Sequence, residues 1–113
     1  MLPMFACHTL FSTFVFLFLL SVPPYFVVKP VNKSVVQVKT LWLHCHANGS
    51  PVPKLRWLKD GMPVNSSGRV TVYFNGSLSI LSTQVSDAGK FICEAENVAG
   101  RATVFAFVAI FGE

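Results

Sequence analysis

Two histidines, His44 and His46, stand two residues apart, a spacing that can hold a metal when both fall on one face of a strand. No carboxylate or cysteine is placed to complete a coordination set, so solvated histidines beside Trp42 are the expectation, with no metal and no cofactor. No Ser, His and Asp arrangement and no glycine-rich phosphate loop is present, and the Asn-Gly and Asp-Gly pairs read as turns. An enzyme is not expected, nor is a small-molecule substrate. Four Asn-x-Ser sequons, at Asn32, Asn48, Asn65 and Asn75, are acceptors for N-glycans. Asn48 should carry little, because Pro51 directly follows Ser50 of its sequon. None of the four lies in the segments around Trp57, Cys93 or Phe105, which leaves the sheet those segments build free of sugar.

The elements that position these residues are strands. From Gly89 the chain alternates, with Phe91, Cys93 and Ala95 on one side and Lys90, Ile92, Glu94 and Glu96 on the other, the period of a strand with one buried face. Leu41, Leu43, Cys45 and Ala47 repeat the pattern, so Cys45 and Cys93 both point inward. Further strands are expected at Tyr25 to Lys39, broken by Pro30, then at Leu55 and Trp57, Val70 and Val72, and Leu78 and Ile80. A last strand is expected at Ala102 to Ile110. Gly49 to Pro53, Lys59 to Gly61, Asn75-Gly76 and Asn97 to Gly100 read as turns, and Pro63 to Gly68 as a polar irregular stretch. Short strands with turn signals every 8 to 12 residues imply a sandwich of two sheets.

A length of 113 residues holds one domain, because residues 1 to 22 contain no charge and an apolar run from Leu10 to Leu20. That run has the length of a signal-peptide core and is short for a membrane span. Residues 1–22 are read as a secretory signal and 23–113 as the domain, with a leader retained as membrane anchor as the alternative. Either way the domain enters an oxidising compartment and is secreted or extracellular. Nine basic against five acidic residues give a net charge of +4. The basic residues are scattered, so a nucleic-acid groove is excluded and a weak attraction to heparan sulfate is the most they support.

The order Cys45, Trp57, Cys93, with D-x-G-x-F-x-C over Asp87 to Cys93, resembles the immunoglobulin superfamily. The Leu78-Ser79-Ile80 segment, Ala95 and Asn97 after Cys93, and Gly100 make it similar to an intermediate-set domain from about Val27 to Ile110. The resemblance implies an all-β immunoglobulin-like sandwich of two antiparallel sheets with one inter-sheet disulfide, Cys45 to Cys93, and Trp57 packed against it. Leu43, Leu55, Leu78, Ile80 and Phe91 complete the implied core. Arg69 and Asp87 occupy positions that pair across the base of similar domains, and Phe91 stands where the family usually has a tyrosine, so that residue's hydroxyl contact is lost. Domains of this kind occur in tandem-immunoglobulin adhesion and matrix proteins, such as hemicentin-like and peroxidasin-like proteins and neural adhesion receptors. The implied function is therefore extracellular recognition or adhesion, with a like domain or another protein as partner. The alternatives are a secreted single-domain ligand or decoy, and a spacer from a longer tandem array.

Parity also selects a face. If Ala102, Val104, Ala106 and Val108 point inward, Phe105 and Phe107 point out. By the same count Ile92 and Glu94, and Arg56 and Leu58, point out on neighbouring strands. The expected contact surface is an apolar patch of Leu58, Ile92, Phe105 and Phe107 with Arg56 and Glu94 on its rim.

Overall fold

The structure is a computed structural model and describes residues 20–112. Ten strands form among the described residues, and their order places two layers face to face. β1 (Val22–Val28), β3 (Leu41–Leu43), β4 (His46–Ser50), β7 (Val70–Val72) and β8 (Leu78–Ile80) build the first layer. Within it β1 pairs with β4, and β8 lies between β3 and β7. β3 and β4 follow one another along the chain with only His44 and Cys45 between them. The second layer is one sheet in the order β2 (Lys33–Val36), β10 (Gly100–Phe111), β9 (Gly89–Asn97), β5 (Lys54–Lys59), β6 (Met62–Val64). All its pairings are antiparallel except β10 with β2, which is parallel with Val108 opposite Lys33. Among the described residues no helix is long and apolar enough to cross a membrane.

The inward residues of both layers form one core. Leu41, Leu43, Cys45, Leu78 and Ile80 from the first layer meet Trp57, Phe91, Cys93, Ala106, Val108 and Ile110 from the second. Each large aliphatic or aromatic side chain removed from water there contributes roughly 1.5–3 kcal/mol. Leu55 is half-buried and packs against this core from its margin. The disulfide joins Cys45 to Cys93 with 6.6 Å between their Cα atoms. Trp57 sits directly opposite Cys93 in the ladder of β5 and β9.

Three boundaries differ from the sequence reading. Met62 to Val64 is a strand, although Pro63 opens the stretch expected to be irregular. The cause is the preceding turn: Asp60 and Gly61 both take positive φ, 49° and 86°, which suits a tight hairpin and returns the chain onto β5. Pro63 is tolerated because β6 is an edge strand. Gly49 and Ser50 belong to β4 instead of the following turn, because Ser50 pairs with Val22 on β1. That pairing also draws Val22, the last residue of the expected leader, into β1, where its carbonyl accepts a hydrogen bond from Asn97 Nδ2 at 2.7 Å. The rest of the leader, to residue 19, lies outside the described residues.

Candidate recognition face

The outer face of the five-stranded sheet is built by strand register. Pro63, Leu58, Ile92 and Phe105 lie side by side on β6, β5, β9 and β10. The next outward row is Arg56, Glu94 and Thr103, the one beyond it Lys54, Glu96 and Arg101, and on the other side Lys90 lies opposite Phe107. The face therefore has an apolar half and a charged half.

In the apolar half Phe105 and Phe107 are 53% and 52% exposed, whereas Leu58 and Ile92 are half-buried. The two phenyl rings meet edge to face with centroids 5.4 Å apart. Lys90 Nζ lies 4.4 Å from the Phe105 ring centroid, a cation over a π face. Lys90 shares its parity with Ile92 and Glu94, so its place on this face was readable, but the contact with Phe105 comes from the neighbouring strand.

Glu94 is not an exposed rim charge. Its side chain is 8% exposed, covered by Arg56 at 3.2 Å and by Arg101 at 3.3 Å. Arg101 also grips Glu96 at 2.7 Å, and the hydrogen bond to Glu96, with the charges of Glu94 and Glu96, raises the Arg101 guanidinium above its ordinary value. A carboxylate on a central strand is held there because guanidinium groups from both flanking strands reach over it. Arg101 belonged to no expected site, yet it shares the parity of Phe105.

The sequons surround the molecule unevenly. Asn65 follows β6, Asn75 is exposed in the turn between β7 and β8, and Asn48 is exposed on β4 opposite Tyr25. Asn32 corrects the expectation that sugar stays away from the five-stranded sheet. Its Oδ1 accepts a hydrogen bond from the Phe107 N–H at 2.8 Å, which puts this sequon beside the aromatic pair. The contact spans 75 residues of sequence, so nothing local announces it.

Two further sites hold the frame. Arg69 and Asp87 form a two-pronged pair, Nη1 to Oδ2 at 2.9 Å and Nη2 to Oδ1 at 3.1 Å, while Arg69 Nη1 also donates to the Leu81 and Ser82 carbonyls. Burial alone would push the Asp87 carboxyl up. The Arg69 guanidinium and the Gln84 N–H, bonded at 2.7 Å, outweigh it and hold the group below the ordinary value of 3.8. A depressed folded pKa contributes stability that is present above 3.8 and is lost as pH falls through the folded value. Asp87→Asn should therefore be about 2 kcal/mol less stable than wild type at pH 7, with the gap closing as the solution is acidified below pH 3.8. Urea denaturation across that range checks it, and a gap that stays constant with pH would contradict the assignment.

Elsewhere the Trp57 indole N–H donates to the Gly76 carbonyl at 3.0 Å. His44 Nδ1 contacts Ser77 Oγ at 2.9 Å, and Trp42 stacks between His44 and Tyr73 at centroid distances of 5.9 and 5.4 Å. His44 thus belongs to an aromatic stack on the first layer, and among the described residues no three of His, Cys, Asp and Glu gather as metal ligands.

A two-layer β-sandwich closed by one disulfide against a tryptophan is the immunoglobulin-like class. More narrowly, residues 24–110 match the immunoglobulin I-set domain model, and the chain belongs to that family. It is 46% identical over 72 residues to human (Homo sapiens) hemicentin-1, covering 63% of this chain and 1% of that protein. It is 36% identical over 96 residues to Roundabout homolog 1 of Mus musculus, covering 78% and 6%. With Contactin-5 of Rattus norvegicus it shares 34% over 94 residues, covering 81% and 9%. The chain thus spans less than a tenth of the length of these relatives. Among solved structures, a complex of titin M10 with an obscurin-like 1 Ig domain superposes with a TM-score of 0.77 at 31% identity, covering 82% of this chain and 97% of the matched one. Extracellular domains 3–5 of Drosophila OTK superpose with a TM-score of 0.76 at 32% identity, covering 80% and 32%.

Proposed function

We propose that this domain is a non-enzymatic recognition module that acts outside the cell and binds a like immunoglobulin domain through the outer face of its five-stranded sheet. The observation that carries this reading is the apolar row of Leu58, Ile92 and Phe105 with Phe107 beside it, solvent-facing on a sheet whose opposite face is already core. Two adjacent, half-exposed phenylalanines in contact are costly in water unless another surface covers them. The neighbouring charged half supports a choice of partner, since the exposed Arg56, Arg101 and Glu96 present both signs to a similar surface. Family membership and likeness to hemicentin, roundabout and contactin favour adhesion, and one of the similar structures is a complex of titin M10 with an obscurin-like 1 Ig domain. Arg56 and Arg101 are committed to carboxylates, which weakens any case for heparan sulfate on this face.

The test uses protein made without glycans in an oxidising bacterial periplasm. Sedimentation velocity should show reversible self-association that Phe105→Ser with Phe107→Ser weakens at least tenfold, with an unchanged circular dichroism spectrum. Association that survives the double substitution would contradict the reading. Unfolding of the double variant would show that the two rings are part of the core, against their exposure.

A further inference from the structure

We propose that an N-glycan on Asn32 lies over Phe107 and Phe105, so that occupancy of this one sequon decides whether the face is open. The gating half rests on the recognition role proposed above; the contact between sugar and rings does not.

Asn32 stands where β2 would need one more residue to continue its ladder with β10, since Lys33 is the first to pair, opposite Val108. The Asn32 side chain takes the place of that missing backbone partner by accepting from the Phe107 N–H at 2.8 Å. The bond fixes the amide group at the edge of the sheet. Nδ2, two bonds from that oxygen, makes no hydrogen bond among the described residues, and Asn32 itself is exposed. The acceptor nitrogen is therefore held beside the residue that projects the Phe107 ring, with Phe105 in contact behind it. None of Asn48, Asn65 and Asn75 has a side-chain bond to β10 among the described residues, so this placement belongs to Asn32 alone of the four.

Glycosylation forms a bond between Asn32 Nδ2 and the anomeric carbon of a lipid-diphosphate-linked oligosaccharide. The nitrogen gives up one proton and the lipid diphosphate leaves with the bonding pair of the broken C–O bond. The first sugar then starts three bonds from an atom that touches Phe107. The axial C–H bonds on one side of a pyranose ring make an apolar face with slightly positive hydrogens, which complements the negative π face of an aromatic ring. A sugar anchored at this edge can shield apolar surface that otherwise meets water.

The experiment compares wild type with Ser34→Ala, both secreted from mammalian cells. Ser34→Ala abolishes the sequon and keeps Asn32 with its hydrogen bond. Both are also made as pairs in the Phe105→Ser, Phe107→Ser background and in Phe107→Leu, which keeps apolar bulk without the ring, and the same proteins made in bacteria set the glycan-free baseline. Peptide mapping should find the glycan on Asn32. Wild type should melt about 3 °C above Ser34→Ala, and the difference should shrink in Phe107→Leu, which keeps the Phe105 ring, and vanish in the Phe105→Ser, Phe107→Ser background. Ser34→Ala should self-associate where glycosylated wild type does not. An unoccupied Asn32, or a melting difference that persists without the rings, overturns the proposal. If the melting pattern holds while Ser34→Ala stays monomeric, the sugar contact stands and the recognition role fails.

Discussion

Replacing Cys45 and Cys93 together by alanine should lower the unfolding free energy by about 4 kcal/mol, the value expected when a loop of this length is released in the unfolded chain. The two cysteines are 48 residues apart, and their bond ties the first layer to the second. Both are almost fully buried, at 2% and 0% exposure, so the variant also loses packed volume at the centre of the core. Net stabilities of small domains are about 5–15 kcal/mol, and this one has a thin core to draw on. The double variant should therefore be close to unfolded at 37 °C. Urea denaturation of the oxidised wild type and the variant measures the difference. A loss under 1 kcal/mol would mean that the packing of Trp57, Leu41, Leu43 and Phe91 holds the layers together without the crosslink.

Gly76→Ala should cost about 3 kcal/mol or abolish folding, because three constraints converge on that residue. Its φ is 99°, a left-handed conformation that strains any residue with a Cβ. A methyl group there would collide with the Cys45 carbonyl and lie 2.8 Å from Leu55 Cδ1, and the first of these is backbone that cannot step aside. Its carbonyl receives the Trp57 indole N–H, so any shift that relieves the clash breaks a buried hydrogen bond. Gly68→Ala is the control. Gly68 also has positive φ, 54°, but a Cβ there meets nothing within 4 Å, so only the backbone cost of about 1 kcal/mol remains. Equal losses at the two positions, in thermal or urea denaturation, would show that φ alone matters and that the approach of Gly76 to Cys45 does not.

How much of this was readable from the sequence depends on how far the controlling interaction lies along the chain. The alternation from Gly89 to Asn97 and from Gly100 to Phe111 identifies two long neighbouring strands, because their period is local and their turn is short. The same parity puts Phe105 and Phe107 outside, and they are exposed. Pro63 misled because a proline is read as a break, whereas the Asp60-Gly61 turn before it sets the return of the chain. Gly76 read as turn chemistry alone; its contacts with Cys45 and Trp57 come from residues 19 and more positions away. Glu94 read as a solvated rim charge, since the arginines that cover it belong to two other strands. Asn32 is the extreme case: a sequon motif is visible in three residues, but what it lies against is decided by the register of β10 beside β2.

Whether the outer face of the five-stranded sheet is where this domain meets its partner can be tested residue by residue. The measurement is a dilution series of the isotopically labelled, glycan-free domain, followed by amide chemical shifts. Concentration-dependent shifts should cluster at Leu58, Ile92, Phe105 and Phe107 and continue to Arg56 and Arg101. Shifts that cluster instead at Trp42, His44 and Tyr73 on the first layer, or a spectrum that does not change up to millimolar concentration, would contradict a partner site on this face.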